Sequence, residues 1–276
     1  MIFIVVLIAL LVERFFDWSH LRNWAWYGAC ERLVMQKIPK APPYLVLAAV
    51  ILPLIAMLTL VGYLLRGELY SVPLLVFQLV VLLYCLGPQN LWADAFASTN
   101  AITKGDQQAA ADKLQSSFHI SISHHADALQ RELLNQIYIS ANQRVFAVVF
   151  WFSVLGVPGA LLYRFVSVSA SGAAGSEVGV AARVIAQILD WVPARIFSFL
   201  FALGGNFTRV FSCWIKRIFI GLDGNDVLVS ECGLAAITND SENIPDDGSL
   251  EKSAIALLDR VFIIVLVVIF VRAFVV

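Results

Sequence analysis

Few side chains in this chain are positioned to do chemistry. Glu13, Arg14, Gln78, Arg144, Arg164, Asp190 and Arg195 lie within or beside long apolar runs. A charge at mid-bilayer costs about 2.5–3.5 kcal/mol on insertion scales, so such a group faces protein or a wet cavity and finds a partner. Two uses follow. Asp190 can neutralise Arg164 or Arg195 as a structural ion pair. Alternatively, Arg144, Arg164 and Arg195 can hold an anion, a phosphate or a carboxylate, through forked hydrogen bonds. Spacing makes the stretch around Asp190 the densest. At about 100° per residue, Arg183, Gln187 and Asp190 share one helix stripe. Trp191, Pro193 and Arg195 follow directly.

Other chemistry is poorly supplied. Cys30, Cys85, Cys213 and Cys232 form no C-x-x-C, and no disulfide framework is expected. His119, His124 and His125 cluster with Asp127, but adjacent histidines leave a helix on different sides and no H-x-x-x-H is present. Ser123 before His124 reads better as a helix N-cap. There is no phosphate-binding, dinucleotide-binding or nucleophile-elbow glycine pattern. Gly172, Gly175 and Gly179 sit in the Ser/Ala-rich stretch SVSASGAAGSEVG, which suits a linker. No catalytic residue and no metal-ligand set is assigned, and no cofactor is expected.

The elements that carry these residues are apolar. Of 276 residues, 60% are hydrophobic and 14% charged, and the mean hydropathy is +0.81. A soluble domain carries roughly 25% charged residues. A disordered chain, a nucleic-acid binder and an ordinary cytosolic enzyme are excluded, and the net charge of −1 points to no polyanionic partner. The fold class expected is an all-α integral membrane protein with about five transmembrane helices. The spans are expected at 1–16, 44–65, 69–87, 145–163 and 254–276. Pro53 lies inside the second, Pro73 near the start of the third, and Gly156, Pro158 and Gly159 interrupt the fourth. Segment 179–207 is apolar but carries Arg183, Asp190 and Arg195, so it is expected to be an amphipathic or re-entrant helix pair joined at a corner from Asp190 to Pro193.

Segment 88–143 is the largest polar insert. It reads as two water-exposed helices, one carrying Ala109, Ala110, Leu114 and Phe118 at helical spacing, the other Leu129, Leu133, Leu134 and Ile137. Lys and Arg in segments 13–43 and 88–143 place both in the cytoplasm, with the N-terminus outside. Segment 208–253 is acidic, rich in turn signals, and read as a mobile loop.

Two stretches resemble a known family: VFAVVFWFSVLGVPGALLYRFV (145–166) and ILDWVPARIFSFLFALGGNF (188–207), with LLVERFFD (10–17) in support. They look like AmpE, a bacterial inner-membrane protein encoded beside the amidase AmpD and described as a regulator or sensor in β-lactamase induction. The run Asp190-Trp191-Val192-Pro193-Ala194-Arg195 is the most specific part. The same stretches are similar to the wider CobD/CbiB membrane family of cobalamin biosynthesis. Those enzymes attach aminopropanol phosphate, or a related amine, to cobyric acid as an amide. The family frame is kept at Phe150-Trp151, Pro158-Gly159-Ala160, Tyr163-Arg164, Trp191 and Pro193-Ala194-Arg195. Its acids are not. Ala186 and Gln187 stand where a paired Asp is expected, Gln143 stands at another Asp, Ser167 replaces an Asn, and Asp190 replaces the Asn before Trp.

Amide ligation driven by ATP needs carboxylates to hold metal and phosphate oxygens. The expectation is therefore a multi-pass, non-enzymatic regulatory protein of the AmpE type in a bacterial inner membrane. Membrane lipid would surround it, an anionic small ligand would sit at the arginines, and a cytosolic amidase or other protein would engage 88–143. The rival is a membrane enzyme related to adenosylcobinamide-phosphate synthase, with altered or lost activity. A transporter is disfavoured by the lack of an inverted repeat.

Overall fold

Long apolar runs with few breakers make helices, and the computed structural model is built from them. It describes residues 2–16, 22–38, 41–65, 72–87, 91–93, 95–96, 126–172, 175–238 and 249–275. No strand occurs among these residues, so the protein is an all-α integral membrane protein. The helices are α1 (Ile2–Phe15), α2 (Ala25–Lys37), α3 (Pro43–Leu64), α4 (Val72–Cys85), α5 (Ala126–Ser140), α6 (Ala147–Leu155), α7 (Val157–Gly172), α8 (Glu177–Gly204), α9 (Phe207–Arg217), α10 (Asn225–Ile237) and α11 (Ser249–Val275). A π-helical turn, Ala141–Phe146, joins α5 to α6. Four stretches are long and apolar enough to cross a bilayer: Pro43–Leu64, Gln130–Leu155, Glu177–Gly204 and Leu250–Phe274. Leu52, Met57 and Leu60 on α3 and Ile263, Val267 and Val268 on α11 are exposed, as lipid-facing residues are.

The chain divides into two compact units. The first comprises Met1–Pro88, Val145–Asp190 and Ile269–Val276; the second comprises Gln89–Arg144 and Trp191–Val268.

In the first unit α7 packs on α3, α4 and α6, and α1 packs on α4. The expected span 145–163 is broken. Gly156 takes φ +71, a left-handed value that glycine adopts without strain, and α6 ends there. Its end is closed by two donors. Gly156 N–H donates to Phe152 O at 2.8 Å, and Arg272 Nη1 donates to Ser153 O at 2.5 Å. Gly159 lets α7 turn back closely, since a Cβ there would meet Leu155 Cβ at 2.7 Å. The span read as starting at 145 starts earlier, at Gln130, because the helix runs through the π turn.

In the second unit α10 packs on α5 and α9. Its core is aromatic. Tyr138 meets Phe201 at 5.3 Å, Phe201 meets Phe197 at 4.7 Å, Phe197 meets Phe262 at 6.0 Å and Phe262 meets Trp92 at 5.5 Å between centroids. Gly233 admits the Tyr138 ring, which a Cβ would meet at 2.5 Å.

Here the structure departs from the expected water-exposed insert. Leu133, Leu134, Ile137 and Tyr138 are all buried. The helical spacing of those residues was legible, but the face they form packs into a core. The Ala109–Phe118 helix and the three histidines 119, 124 and 125 fall outside the described residues. Segment 208–253, read as a mobile loop, contains the rest of α9, all of α10 and the start of α11.

The expected two-helix corner at 190–193 is also corrected, because α8 is continuous with Pro193 inside it. Proline lacks an N–H, which frees the carbonyl four residues earlier. That carbonyl belongs to Leu189, and the Trp151 indole Nε1–H donates to it at 3.1 Å. A neighbouring side chain thus supplies the missing donor, and the helix has no reason to end.

Candidate functional site

The C-terminal end of α4 is where ionisable side chains of the first unit gather. The last carbonyls of a helix lack backbone donors and carry the negative end of its dipole, so they attract cations. Arg164, from the middle of α7, donates Nε–H to Cys85 O at 2.7 Å. Arg22, in the segment leading to α2, donates Nη1–H to Gly87 O at 2.7 Å. Arg22 also forms a two-pronged pair with Glu13 near the end of α1, one prong from Nη1 to Oε1 at 3.1 Å, the other from Nη2 to Oε2. Glu13, Arg22 and Arg164 are 1%, 5% and 3% exposed, and each is hydrogen-bonded to another or to the backbone, as buried charges are. Beside Arg164 on α7, the Tyr163 hydroxyl donates to Asp190 Oδ1 at 2.7 Å, and both residues are buried. The end of α4 thus gathers one carboxylate and two guanidinium groups, and the Tyr163–Asp190 pair leaves α7 from the neighbouring position.

A polar wall stands on another face of α7. The Tyr27 hydroxyl and Ser169 Oγ are 2.8 Å apart, and Tyr27 stacks on Phe165 at 5.0 Å. Burial pushes the Tyr27 phenol up to about 12. Glu31, one turn further along α2, is buried, its Oε1 has no hydrogen-bond partner, and desolvation raises its carboxyl above the ordinary range.

Of the residues singled out in the sequence, Glu13, Arg164 and Asp190 lie in this unit. Arg14 is half-buried, with its guanidinium 6.0 Å from the Phe15 ring. Trp191, Pro193, Arg195 and Arg144 belong to the second unit. Arg195 does not pair with Asp190. Its donors go to Ile218 O at 3.0 Å, Ile220 O at 2.7 Å, Trp191 O at 2.9 Å and Asn225 Oδ1 at 2.6 Å. Its guanidinium carbon lies 4.2 Å from the Trp191 ring centroid. The fork is directed at the chain's own acceptors, three carbonyls and an amide oxygen. Arg144 is half-buried on the π turn.

Sequence reasoning missed Arg22, which counted there only as a loop charge. The usable signal was Glu13: an acid near the C-terminal end of an apolar helix requires a nearby cation, and Arg22 is nine residues away. It also missed Asp226, which accepts a hydrogen bond from Gln143 Nε2 at 2.9 Å. The four cysteines are free thiols. Among the described residues, no group of three His, Cys, Asp or Glu side chains is placed to hold a metal ion.

Buried paired charges on a bundle of bilayer-length helices define a polytopic α-helical membrane protein with a polar centre. Comparison with known proteins places it further. The family model described as CobD/Cbib protein matches residues 6–220, and the chain belongs to that family. It is 30% identical over 198 residues to the cobalamin biosynthesis protein CobD of Chromobacterium violaceum, a match covering 67% of this chain and 62% of that one. It is 29% identical over 143 residues to the cobalamin biosynthesis protein CobD of Stutzerimonas stutzeri, covering 50% and 47%. The chain thus matches between about half and three fifths of the length of these relatives. No solved structure matches it.

These findings overturn the expectation of a non-enzymatic AmpE-type regulator. That reading rested on the replaced acids, whereas the relatives carry a biosynthetic name. The replacements remove particular carboxylates, but Glu13 is buried against Arg22, and Asp190, itself a replacement, adds a buried carboxylate.

Proposed function

We propose that the protein is a membrane enzyme of cobalamin biosynthesis, acting in a bacterial inner membrane and forming an amide between a corrinoid carboxyl group and an amine. The observation that carries this reading is the family match over residues 6–220, which takes in the whole Tyr163-Arg164 and Trp191–Arg195 frame. The buried Glu13–Arg22–Arg164 cluster and the buried Tyr163–Asp190 pair support it, because carboxylates held by a phenol or a guanidinium can move a proton or neutralise a developing charge. The anionic ligand expected from the arginine content is, on this reading, the phosphate of the incoming amine.

The test is complementation. The full chain is expressed in a bacterium lacking its own CobD-type protein and supplied with cobyric acid as the only corrinoid. Growth under a cobalamin requirement, with the aminopropanol amide detected by mass spectrometry, is expected. Glu13→Gln keeps an acceptor for Arg22 but removes the charge, and should lower amide yield by about tenfold or more. Membrane-inserted protein with neither growth nor amide product would overturn the proposal.

A further inference from the structure

The helix α9 has two faces with different partners. Its inner row is fixed to the second unit. Val210 is buried, the Trp214 indole donates to Arg195 O at 3.0 Å, Arg217 pairs with Glu231 at 2.5 Å, and Arg209 Nη1 donates to Thr238 O at 2.6 Å. Its outer row repeats every four residues and is apolar: Phe207, Phe211 and Ile215, continued by Phe219 past the helix end. These are 51%, 37%, 54% and 91% exposed. The Phe207 and Phe211 rings stack at 5.6 Å with 7° between planes. Alongside runs a second exposed row, Thr208, Ser212 and Lys216. The inner row holds the helix in place, so the aromatic edge cannot rotate into the protein.

The location of α9 says what covers that edge. Only Gly205 and Asn206 separate it from α8, one of the four stretches able to cross a bilayer. The break between them is tight and capped. Asn206 N–H donates to Ala236 O at 3.2 Å, Asn206 Oδ1 accepts from Arg209 N–H at 3.3 Å, and a Cβ on Gly205 would meet Ala236 O at 2.8 Å. The helix therefore starts where a membrane span stops. At 11 residues it is about 16 Å long, half of what a crossing requires. Three bases and no acid lie between residues 207 and 220. A short helix with one aromatic edge, a polar row beside it and a positive charge, leaving a span, has the properties of a helix lying in the membrane–water interface.

We propose that α9 is an interfacial anchor: Phe207, Phe211, Ile215 and Phe219 sink among lipid acyl chains, and Lys216 sits at the level of anionic headgroups.

The experiment uses the full chain reconstituted in vesicles of phosphatidylethanolamine and phosphatidylglycerol. The photo-crosslinking residue p-benzoylphenylalanine replaces Phe211 or Phe219 in turn. Both positions point outward, and monodisperse elution checks that each variant is folded. After irradiation, mass spectrometry reads lipid adducts and gel electrophoresis reads crosslinked dimers. Lipid adducts are expected at both positions, with phosphatidylglycerol enriched about twofold over its bulk share. Lys216→Gln should return that share to the bulk value. Dimers in place of lipid adducts would show a second copy on the edge and overturn the proposal, as would the absence of adducts at both positions. Adducts without phosphatidylglycerol enrichment would overturn the assignment of Lys216.

Discussion

Replacing Trp151 by Phe tests the account of why α8 stays whole across Pro193. The substitution removes one donor, the indole N–H that reaches Leu189 O at 3.1 Å, and keeps an aromatic ring. A fully buried carbonyl left without a partner costs about 1–3 kcal/mol, and the half-buried Leu189 O about 1–2 kcal/mol. For a chain somewhat above 150–250 residues, each kcal/mol moves the unfolding midpoint by about 2–4 °C or slightly less. Trp151→Phe should therefore lower the midpoint of the detergent-solubilised chain by about 2–8 °C, read by far-ultraviolet circular dichroism. The loss of indole surface contributes to the same number, so the single variant does not isolate the bond. Pro193→Ala does. It restores a backbone N–H at position 193, whose natural acceptor in an α-helix is Leu189 O. In that background Leu189 O no longer depends on the indole, and Trp151→Phe should cost less than in the wild type by about 1–2 kcal/mol, the coupling of the double-mutant cycle. Equal losses in both backgrounds, within about 0.3 kcal/mol, would refute the idea that the indole replaces the proline's missing donor.

Two further outcomes follow from the buried charges. Glu31 is held above its ordinary value of 4.5 by desolvation, so the folded state keeps a proton that the unfolded state releases. The corresponding stability is present below the unfolded value and is lost as pH rises through the folded one; wild-type midpoints should fall over that window more steeply than those of Glu31→Gln, which keeps the contribution of the likewise raised Asp226, and parallel profiles would exclude Glu31 as a source. Arg195 serves two backbone carbonyls beyond the end of α9, one on its own helix and the Asn225 side chain. Arg195→Ala should sharply reduce the yield of folded protein, and Arg195→Lys should restore only part of it, because an ammonium cannot reproduce the planar fork; full rescue by Lys would show that charge alone matters there.

The sequence carried the class and most of the elements, because apolar runs of bilayer length have one stable outcome. The break at Gly156 was also marked, by Gly156, Pro158 and Gly159 inside the fourth span. Two features were not legible, each for a physical reason. Pro193 looked like a helix end because its rescuer, Trp151, is 38 residues away in sequence. The stripe of α5 reads as part of a water-exposed helix because nothing in it says that Gly233 leaves room for Tyr138. At the site, Glu13, Arg164 and Asp190 were found from the rarity of charge in apolar surroundings. Arg22 was not, because a cation in a loop has the same appearance whether it is solvated or buried.

The arginines that close helix ends also constrain how the protein is made. The Glu13–Arg22 pair is local and can form as soon as that segment has left the ribosome, so it cancels its own charge early. The acceptor at Gly87 lies 65 residues further on, about 3–13 s of synthesis at roughly 5–20 residues per second. Arg164 reverses the order: the end of α4 waits 79 residues for its donor. Ser153 O waits longer, 119 residues, for Arg272. If the chain folds in the order of its synthesis, the ends of α4 and α6 each wait for a donor made much later. The break between α6 and α7 is the last of the three to close, and it closes only when α11 has been made.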